Sequence, residues 1–385
     1  MLTVPFHVPY RTGRETNAIQ QCLSKSQISG DGSSTKECHK WFQSTYNIHQ
    51  ALLTTSCTHA LEMSAELLDY QPGDEVIMPS FTFVSTANAF VKRGFKVIFA
   101  DICPETLNID PQSIIKLITS KTKAIVPVHY AGVSCDMGSI LSIAEKHNLI
   151  VIEDAAQGIG ASYKGKPLGS LGHLGALSFH DTKNISCGEG GALWINDQKF
   201  SERAEILREK GTNRSQFIRG HVDKYTWVDV GSSWLPSELN AAFLYDQLQD
   251  IENITKQRLS IHQHYQSRLI ECSEKFNITL PSWPEETSPN AHLYYALLPT
   301  KESRNDFMDQ MKNHGVGVTF HYIPLHSSPM GKKLNPYQKS LPITEDISSR
   351  LIRLPLYPDL SETDQDLVIS SFKDVAQKIY GDSKT

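Results

Sequence analysis

Lys183 and Asp154 are the two residues whose types and spacing could do chemistry together. Asp154 follows Glu153 at the end of an apolar run, Leu149-Ile150-Val151-Ile152, of the kind that forms a buried strand. Lys183 comes just after a second strand-like run, Leu174–Phe179, and before the glycine-rich turn Gly188-Glu189-Gly190-Gly191. A lysine amine so placed can form a Schiff base with the aldehyde of pyridoxal phosphate (PLP). An acid facing the pyridine nitrogen keeps it protonated, so the ring can accept the electrons of a carbanion. Each residue also has a plainer reading. Most lysines past a strand are solvated, and Asp154 could cap a helix opening at Ala155. The pair weighs more than either residue alone. They lie 29 residues apart, which leaves room for one crossover and one strand, so they can end on neighbouring strands of one sheet.

The elements that must position this pair follow from the patterning. Ala51–Thr54 is a short strand candidate. Thr55-Ser56-Cys57-Thr58 then opens a helical pattern with Leu61, Ala65 and Leu68 on one face. On spacing alone this is an ordinary capped helix, but its free N–H groups at the positive end of the helix dipole are also a natural phosphate seat. Glu75–Pro79, Lys96–Asp101, Ala124–His129 and Leu149–Glu153 are further strand candidates, separated by helical segments such as Pro111–Ile118 and Ser139–His147. Alternation of this kind predicts an α/β fold with a mostly parallel sheet covered on both faces, and ligands beyond the carboxyl ends of its strands. Asp154, Gln157, Ser178 and Lys183 fall at or just past such ends, with Gln157 one helical turn beyond Asp154.

Elsewhere the patterning predicts a helix at Glu15–Ser24 and loops at Ser29–Ser34 and Arg208–Gln216. A long helix runs from Pro236 to about Ile270. A domain boundary within it, near residue 250, gives a large domain over 1–250 and a small C-terminal one over 251–385. The small domain reads as a strand at His292–Pro299, a helix at Arg304–His314 stopped by Gly315, and a strand at Val316–Tyr322. Its last helix opens on the capping-box sequence Ser361-Glu-Thr-Asp364, with Val368, Phe372, Val375 and Ile379 as the buried stripe.

The 385 residues are 39% hydrophobic and 21% charged, with a net charge of −5. These are ordinary values for a soluble enzyme and carry no basic stripe of a nucleic-acid binder. No apolar run approaches the roughly 18 residues of a membrane span, and the N-terminus lacks a signal-peptide pattern. Seven scattered cysteines without a CxxC pair read as reduced thiols in a cytoplasmic protein.

The blocks E-D-A-A-Q, S-F-H-x-x-K and G-E-G-G resemble the DegT/DnrJ/EryC1 family of sugar aminotransferases. So do QPGDEVIMPSFTFVSTANAF, PVHYAG, REKGTNRSQF, GSSWLPSEL and HYIPLH, which extend the resemblance over nearly the whole chain. The resemblance implies a fold type I PLP-dependent transferase. It makes Ser56, Cys57 and Thr58 the phosphate-binding turn, with Cys57 where the family usually has glycine. It makes Phe83 the aromatic that stacks on the cofactor, Gln157 a partner of the cofactor hydroxyl, and Ser178 a phosphate-binding serine. Ser233 stands where many members have an asparagine that reaches the phosphate of a neighbouring subunit. Glu189 and His326 are implied substrate neighbours. Lys183, where the related dehydratases have histidine, favours transamination. The subgroup resembled implies transfer from glutamate to the 4-keto carbon of dTDP-4-keto-6-deoxyglucose, with a galacto product, in a homodimer with shared active sites. It also implies a place in cell-surface polysaccharide synthesis, such as lipopolysaccharide O-antigen or enterobacterial common antigen. The alternatives are the gluco epimer, reaction at the sugar 3-position, or a non-catalytic PLP-binding regulator.

Overall fold

A computed structural model describes residues 2–25 and 27–381. A seven-stranded sheet organises the first half of the chain. Its strands are β1 (Gln50–Thr54), β2 (Glu75–Pro79), β3 (Lys96–Ala100), β4 (Thr122–Ile125), β5 (Ile150–Asp154), β6 (Leu174–Ser178) and β7 (Gly191–Ile195). They lie in the order β1-β7-β6-β5-β4-β2-β3. The pairs from β6 through β5, β4, β2 and β3 are parallel, whereas β7 runs antiparallel to both β6 and β1.

All five residues of β2, β6 and β7 are buried, because helices cover both faces of the sheet. Alternation along each strand decides which helices it meets. Val76 and Met78 pack with Leu61 and Phe90 on one side. Ile77, between them, packs with Ile140 and Ile143 on the other. Under β1 and β7, Leu53 and Trp194 join Phe42 and Leu244 in a third cluster.

The C-terminal part has its own core. An antiparallel strand pair, β8 (Tyr294–Leu297) with β9 (Leu351–Leu354), packs with Tyr265, Leu269, Phe307, Val368, Phe372 and Val375, while Ile379 is only partly buried. Ser361 caps the last helix as predicted, but Asp364 meets its hydroxyl and not its backbone N–H, so only half of the capping box is formed. Ser361 Oγ accepts the Asp364 N–H at 3.1 Å and donates to Asp364 Oδ2 at 2.8 Å.

Several expectations are corrected. No helix opens at Ala155. Residues 155–160 form tight turns, so Gln157 reaches the same cavity as Asp154 by a turn and not by helical spacing. The carbonyls of Gln157 and Ile159, which a helix would use, instead accept the Asn290 side-chain amide. The strand expected over Ala124–His129 ends at Ile125, since Pro127 has no N–H to continue the ladder. The long helix is two, Glu238–Leu248 and Ile251–Phe276, and Asp250 at the break accepts the Tyr10 hydroxyl at 2.7 Å. Val316–Tyr322 makes only single bridges, Val316 to Val4 and Thr319 to Arg353 on the free edge of β9. A helix at Ser33–Tyr46 takes the last two residues of the expected Ser29–Ser34 loop, and one at Arg214–Ile218 takes part of the 208–216 loop.

Candidate active site

A cavity of about 360 Å³ lies past the carboxyl ends of β5 and β6. Its walls gather Ser56, Cys57, Thr58, Phe83, Asp154, Gln157, Ser178, Lys183 and Glu189. Residues not anticipated from the sequence share those walls, among them Thr86, Arg258, His292, His321 and Arg353.

Asp154 faces this space from the end of β5, and Lys183 from the loop that follows the adjacent β6. Asp154 Oδ2 accepts from Thr86 Oγ1 at 2.7 Å and Oδ1 accepts from the Ala156 N–H at 3.2 Å. Burial pushes the Asp154 carboxyl above its ordinary range, and these two donors and the Lys183 charge pull the other way. Lys183 is half-buried, three residues past a loop carbonyl, His180 O, that accepts its backbone N–H at 2.9 Å. Burial is the main cause that lowers its amine below the usual lysine range; Asp154 opposes this and Arg353 adds to it.

Ser56 caps the helix Cys57–Leu67, accepting the His59 N–H at 3.2 Å. That leaves the first-turn N–H groups of Cys57 and Thr58 as donors at the positive end of the helix. Gly191, at the start of β7, makes the close packing possible. A Cβ there would sit 2.3 Å from the Ser56 carbonyl carbon and 2.4 Å from the Cys57 nitrogen. Burial pushes the Cys57 thiol well up, so cysteine in this turn is a neutral filler. Ser178 ends β6 beside it.

The two neighbouring acids have separate tasks. Glu153 points away from the cavity and is fully buried. Its Oε1 accepts the N–H groups of Leu171 and Gly172 at 2.7 and 2.6 Å. Its Oε2 accepts the Gly169 N–H and His129 Nε2–H, both at 2.8 Å. His129 Nδ1 accepts the Cys135 N–H at 3.2 Å, so the ring donates from Nε2. Glu153 therefore ties the turn that feeds β6 to the end of β5.

A second hub was missed by sequence reasoning. Asn184, next to Lys183, donates to Asn290 O at 3.0 Å and accepts from His292 Nδ1 at 2.8 Å. Asn290 Nδ2 donates to the carbonyls of Gln157 and Ile159, both at 2.8 Å, and its Oδ1 accepts the His292 N–H at 3.0 Å. Arg258 donates to the carbonyls of Ala291 and His292 at 3.0 and 2.7 Å. Ala291 is left-handed, with φ 48°, a conformation non-glycine residues rarely take. Three residues thus join the loop of Lys183 to the turn of Gln157. No periodicity announces them, because buried polar side chains are read from their partners and not from spacing.

Gln157 itself is committed on both sides. Its Oε1 accepts the Ala131 N–H at 2.6 Å and its Nε2 donates to the Tyr322 hydroxyl at 2.9 Å. Phe83 is 58% exposed at the mouth, while Phe81 is buried. Glu189 is exposed, with its carboxylate 3.6 Å from His180 Nε2.

Two expected residues stand apart from the cavity walls. Ser233 is exposed and bridges by backbone to Glu209. His326 is buried with both ring nitrogens taken, Nδ1 by Ser80 Oγ at 2.7 Å and Nε2 by Glu345 Oε1 at 3.0 Å. His321 of the same segment lines the cavity instead, stacked on Tyr322 with ring centroids 3.8 Å apart. Burial pushes its imidazole down to about 2, so it is a neutral wall.

This donor set fits pyridoxal phosphate. Backbone N–H groups at Cys57 and Thr58 with the Ser178 hydroxyl suit a phosphate. Asp154 suits a pyridine nitrogen, Phe83 offers a flat apolar face, and Lys183 supplies the amine. Among the described residues no group of His, Cys, Asp and Glu could hold a metal ion.

Comparison with known proteins agrees. Residues 9–373 match the model of the DegT/DnrJ/EryC1/StrS aminotransferase family. The chain is 31% identical to the spore coat polysaccharide biosynthesis protein SpsC of Bacillus subtilis, over 97% of each chain. It is 33% identical to the Methanocaldococcus jannaschii protein MJ1066, over 98% of this chain and all of that one. Among solved structures it superposes on the aminotransferase TlmJ of Streptoalloteichus hindustanus with TM-score 0.90 at 26% identity, covering 97% and 99% of the two chains. It also superposes on the PLP form of Spr1654 of Streptococcus pneumoniae, with TM-score 0.90 at 26% identity, covering 97% and 99%.

Proposed function

The chain belongs to the DegT/DnrJ/EryC1/StrS aminotransferase family, and from that premise we propose that it moves an amino group from glutamate to the 4-keto carbon of dTDP-4-keto-6-deoxyglucose, giving dTDP-4-amino-4,6-dideoxygalactose. The coarser part needs no proposal: it is a PLP-dependent sugar aminotransferase. The observation that carries the reading is the approach of the Lys183 amine, on the loop after β6, and the Asp154 carboxylate, at the end of the adjacent β5, to one cavity beside a turn built of phosphate donors.

Pyridoxal phosphate, when bound, supplies the electron sink that lets an amino group move between carbons. The chain's own residues do the rest. Ser56, Cys57, Thr58 and Ser178 hold the phosphate end, and Asp154 holds a proton on the ring nitrogen. Phe83 packs on the ring face. Lys183 Nζ takes a proton from the donor carbon and returns it on the other side, a task that needs its free base. Burial favours that form. The Glu189 carboxylate at the mouth lies where the sugar would enter.

The same reading makes the protein a homodimer. The segment that ends at Ser233 exposes Phe217, Ile218, Tyr225, Trp227, Val228 and Val230, an apolar surface of the kind that partners cover. It also keeps the domain division at residue 250, at the break between two helices. A cytoplasmic location is supported by seven cysteines that are all free; no described helix is long and apolar enough to cross a membrane.

The test is an absorbance spectrum of the purified protein with and without glutamate. A band at roughly 400–430 nm should move to shorter wavelength on glutamate and be missing in Lys183→Ala. Product analysis with dTDP-4-keto-6-deoxyglucose then separates the galacto from the gluco amine. A band that ignores every amino donor would remove the catalytic reading and leave a PLP-binding regulator.

A further inference from the structure

His292 turns toward the cavity an acceptor that the chain itself does not use. It stands just before β8, is only 6% exposed, and lines the cavity together with Lys183. Its neighbours fix its tautomer. Asn184 Nδ2 donates to Asn290 O at 3.0 Å, and a carbonyl can only accept, so the Asn184 amide oxygen is the atom that faces His292. His292 Nδ1 therefore carries the hydrogen of that 2.8 Å bond, and Nε2 is left with a lone pair. Among the described residues no donor meets Nε2, and it is not sealed in, so it opens on the cavity that the ring lines. Protonation does not relieve it. Burial pushes the imidazole well below its ordinary range, and Lys183, Arg258, His321 and Arg353 push the same way. A buried acceptor without a donor costs stability unless a ligand supplies one.

We propose that His292 Nε2 accepts the hydroxyl on the sugar carbon next to the keto carbon, and so sets which way round the acceptor sugar lies against Lys183. The proposal rests on the aminotransferase reading and deepens it. The carboxylates of an amino donor and the diphosphate of a nucleotide sugar only accept hydrogen bonds, so neither can meet a bare lone pair. Sugar hydroxyls donate. In a 4-keto-6-deoxyhexose the carbon on one side of the keto group bears a hydroxyl, and the carbon on the other side bears the methyl group. An acceptor to one side of the reacting carbon therefore tells the two sides apart. The place suits this task, because the bond to Asn184 ties His292 to the residue next to Lys183. The acceptor is also held still before any sugar arrives. The His292 N–H donates to Asn290 Oδ1 at 3.0 Å, and the His292 carbonyl accepts from Arg258 Nη2 at 2.7 Å. Such preorganisation spares the ordering cost of binding.

The experiment follows both half reactions in the spectrum of the PLP-loaded protein. Glutamate removes the band at roughly 400–430 nm, and the keto sugar, added to the glutamate-treated protein, restores it. dTDP-4-keto-6-deoxyglucose is compared with its 3-deoxy analogue in wild type, His292→Asn and His292→Phe. Asparagine can keep an N–H toward Asn184 but has no acceptor at the Nε2 position, and phenylalanine fills the place of the ring. Wild type should use the 3-deoxy sugar about 10-fold less efficiently. Both variants should treat the two sugars alike, at about the wild-type level for the 3-deoxy sugar, and His292→Asn should keep the wild-type response to glutamate. A wild type that does not distinguish the sugars overturns the proposal with no variant needed, and so does a variant that keeps the tenfold preference. Equal slowing of both half reactions in His292→Asn overturns it in favour of a role toward Lys183 or the donor amine. If wild type responds to neither glutamate nor the keto sugar, the functional reading falls and takes this subsite with it. The two variants disturb the ring's surroundings differently, so a folding defect in one leaves the comparison to the other.

Discussion

Changing Glu153 to glutamine should damage the fold far more than the chemistry, although Glu153 adjoins Asp154. The carboxylate accepts four donors, two on each oxygen. Glutamine keeps one acceptor oxygen and turns an amide group against the remaining two N–H groups. Two bonds to a charged acceptor are lost, at roughly 1.5–3 kcal/mol each, so the cost is roughly 3–6 kcal/mol. With a urea slope near 3 kcal/mol per molar, the midpoint falls on the order of 1 M. The assay is urea denaturation of the apo-proteins followed by fluorescence, with Asp154→Asn as the matched control. Asp154 accepts two donors and is held above its ordinary range by burial. Above that raised value the buried charge weakens the fold, and protonation relieves it. Asparagine removes the charge at the loss of one acceptor, so the two effects offset and the midpoint should stay near wild type while the glutamate response is lost. A Glu153→Gln protein with a wild-type midpoint would refute the assignment of Glu153 as a tie between β5 and the turn into β6.

Lys183→Ala should abolish the roughly 400–430 nm band and all turnover, yet keep the melting temperature within a few degrees, since the amine is desolvated and has no hydrogen bond to lose; thermal melts with spectra check both. The rate at which apo-protein takes up PLP should climb with pH and level off below 10.5, the ordinary lysine value, because the free amine attacks and burial lowers its pKa. In Arg353→Met, where a lowering influence is gone, the plateau should move to higher pH; stopped-flow absorbance across pH reads this, and a wild-type rate still rising through 10.5 contradicts it. Phe83→Ala should weaken PLP retention in dialysis and leave apo-protein stability unchanged, because the ring is 58% exposed.

Much of the architecture was legible because burial on both faces writes itself as apolar runs. Six of the seven central strands lie on runs the patterning can see; the seventh, Gly191–Ile195, was read only as a turn. Asp154 and Lys183 were legible as a pair because strand ends and spacing bring them together. What escaped depended on partners distant in sequence. The turn after Asp154 looks helical until Asn290 takes its carbonyls. The break at Asp250 depends on Tyr10. His326 and His321 sit five residues apart in one segment, and only the packing of Ser80 and Glu345 decides that the first is structural while the second faces the cavity. Arg353 carried no motif at all; only the folded chain brings it to the cavity.

The place of β1 in the sheet bears on how the protein is made. β1 pairs only with β7, and the phosphate turn grows from its end. On a ribosome the segment Gln50–Thr54 emerges early, with an apolar Ala-Leu-Leu core and no partner, and must wait until Ile195 has been synthesised. Until then it is an open, sticky edge, and the N-terminus of the following helix is not held against Gly191. The nascent chain therefore cannot retain its cofactor, and closure of this long loop is a slow, late event by its topology. Cofactor capture becomes a report that the central sheet has been finished, and molecules stalled before β7 would go to chaperones or aggregates as apo chains.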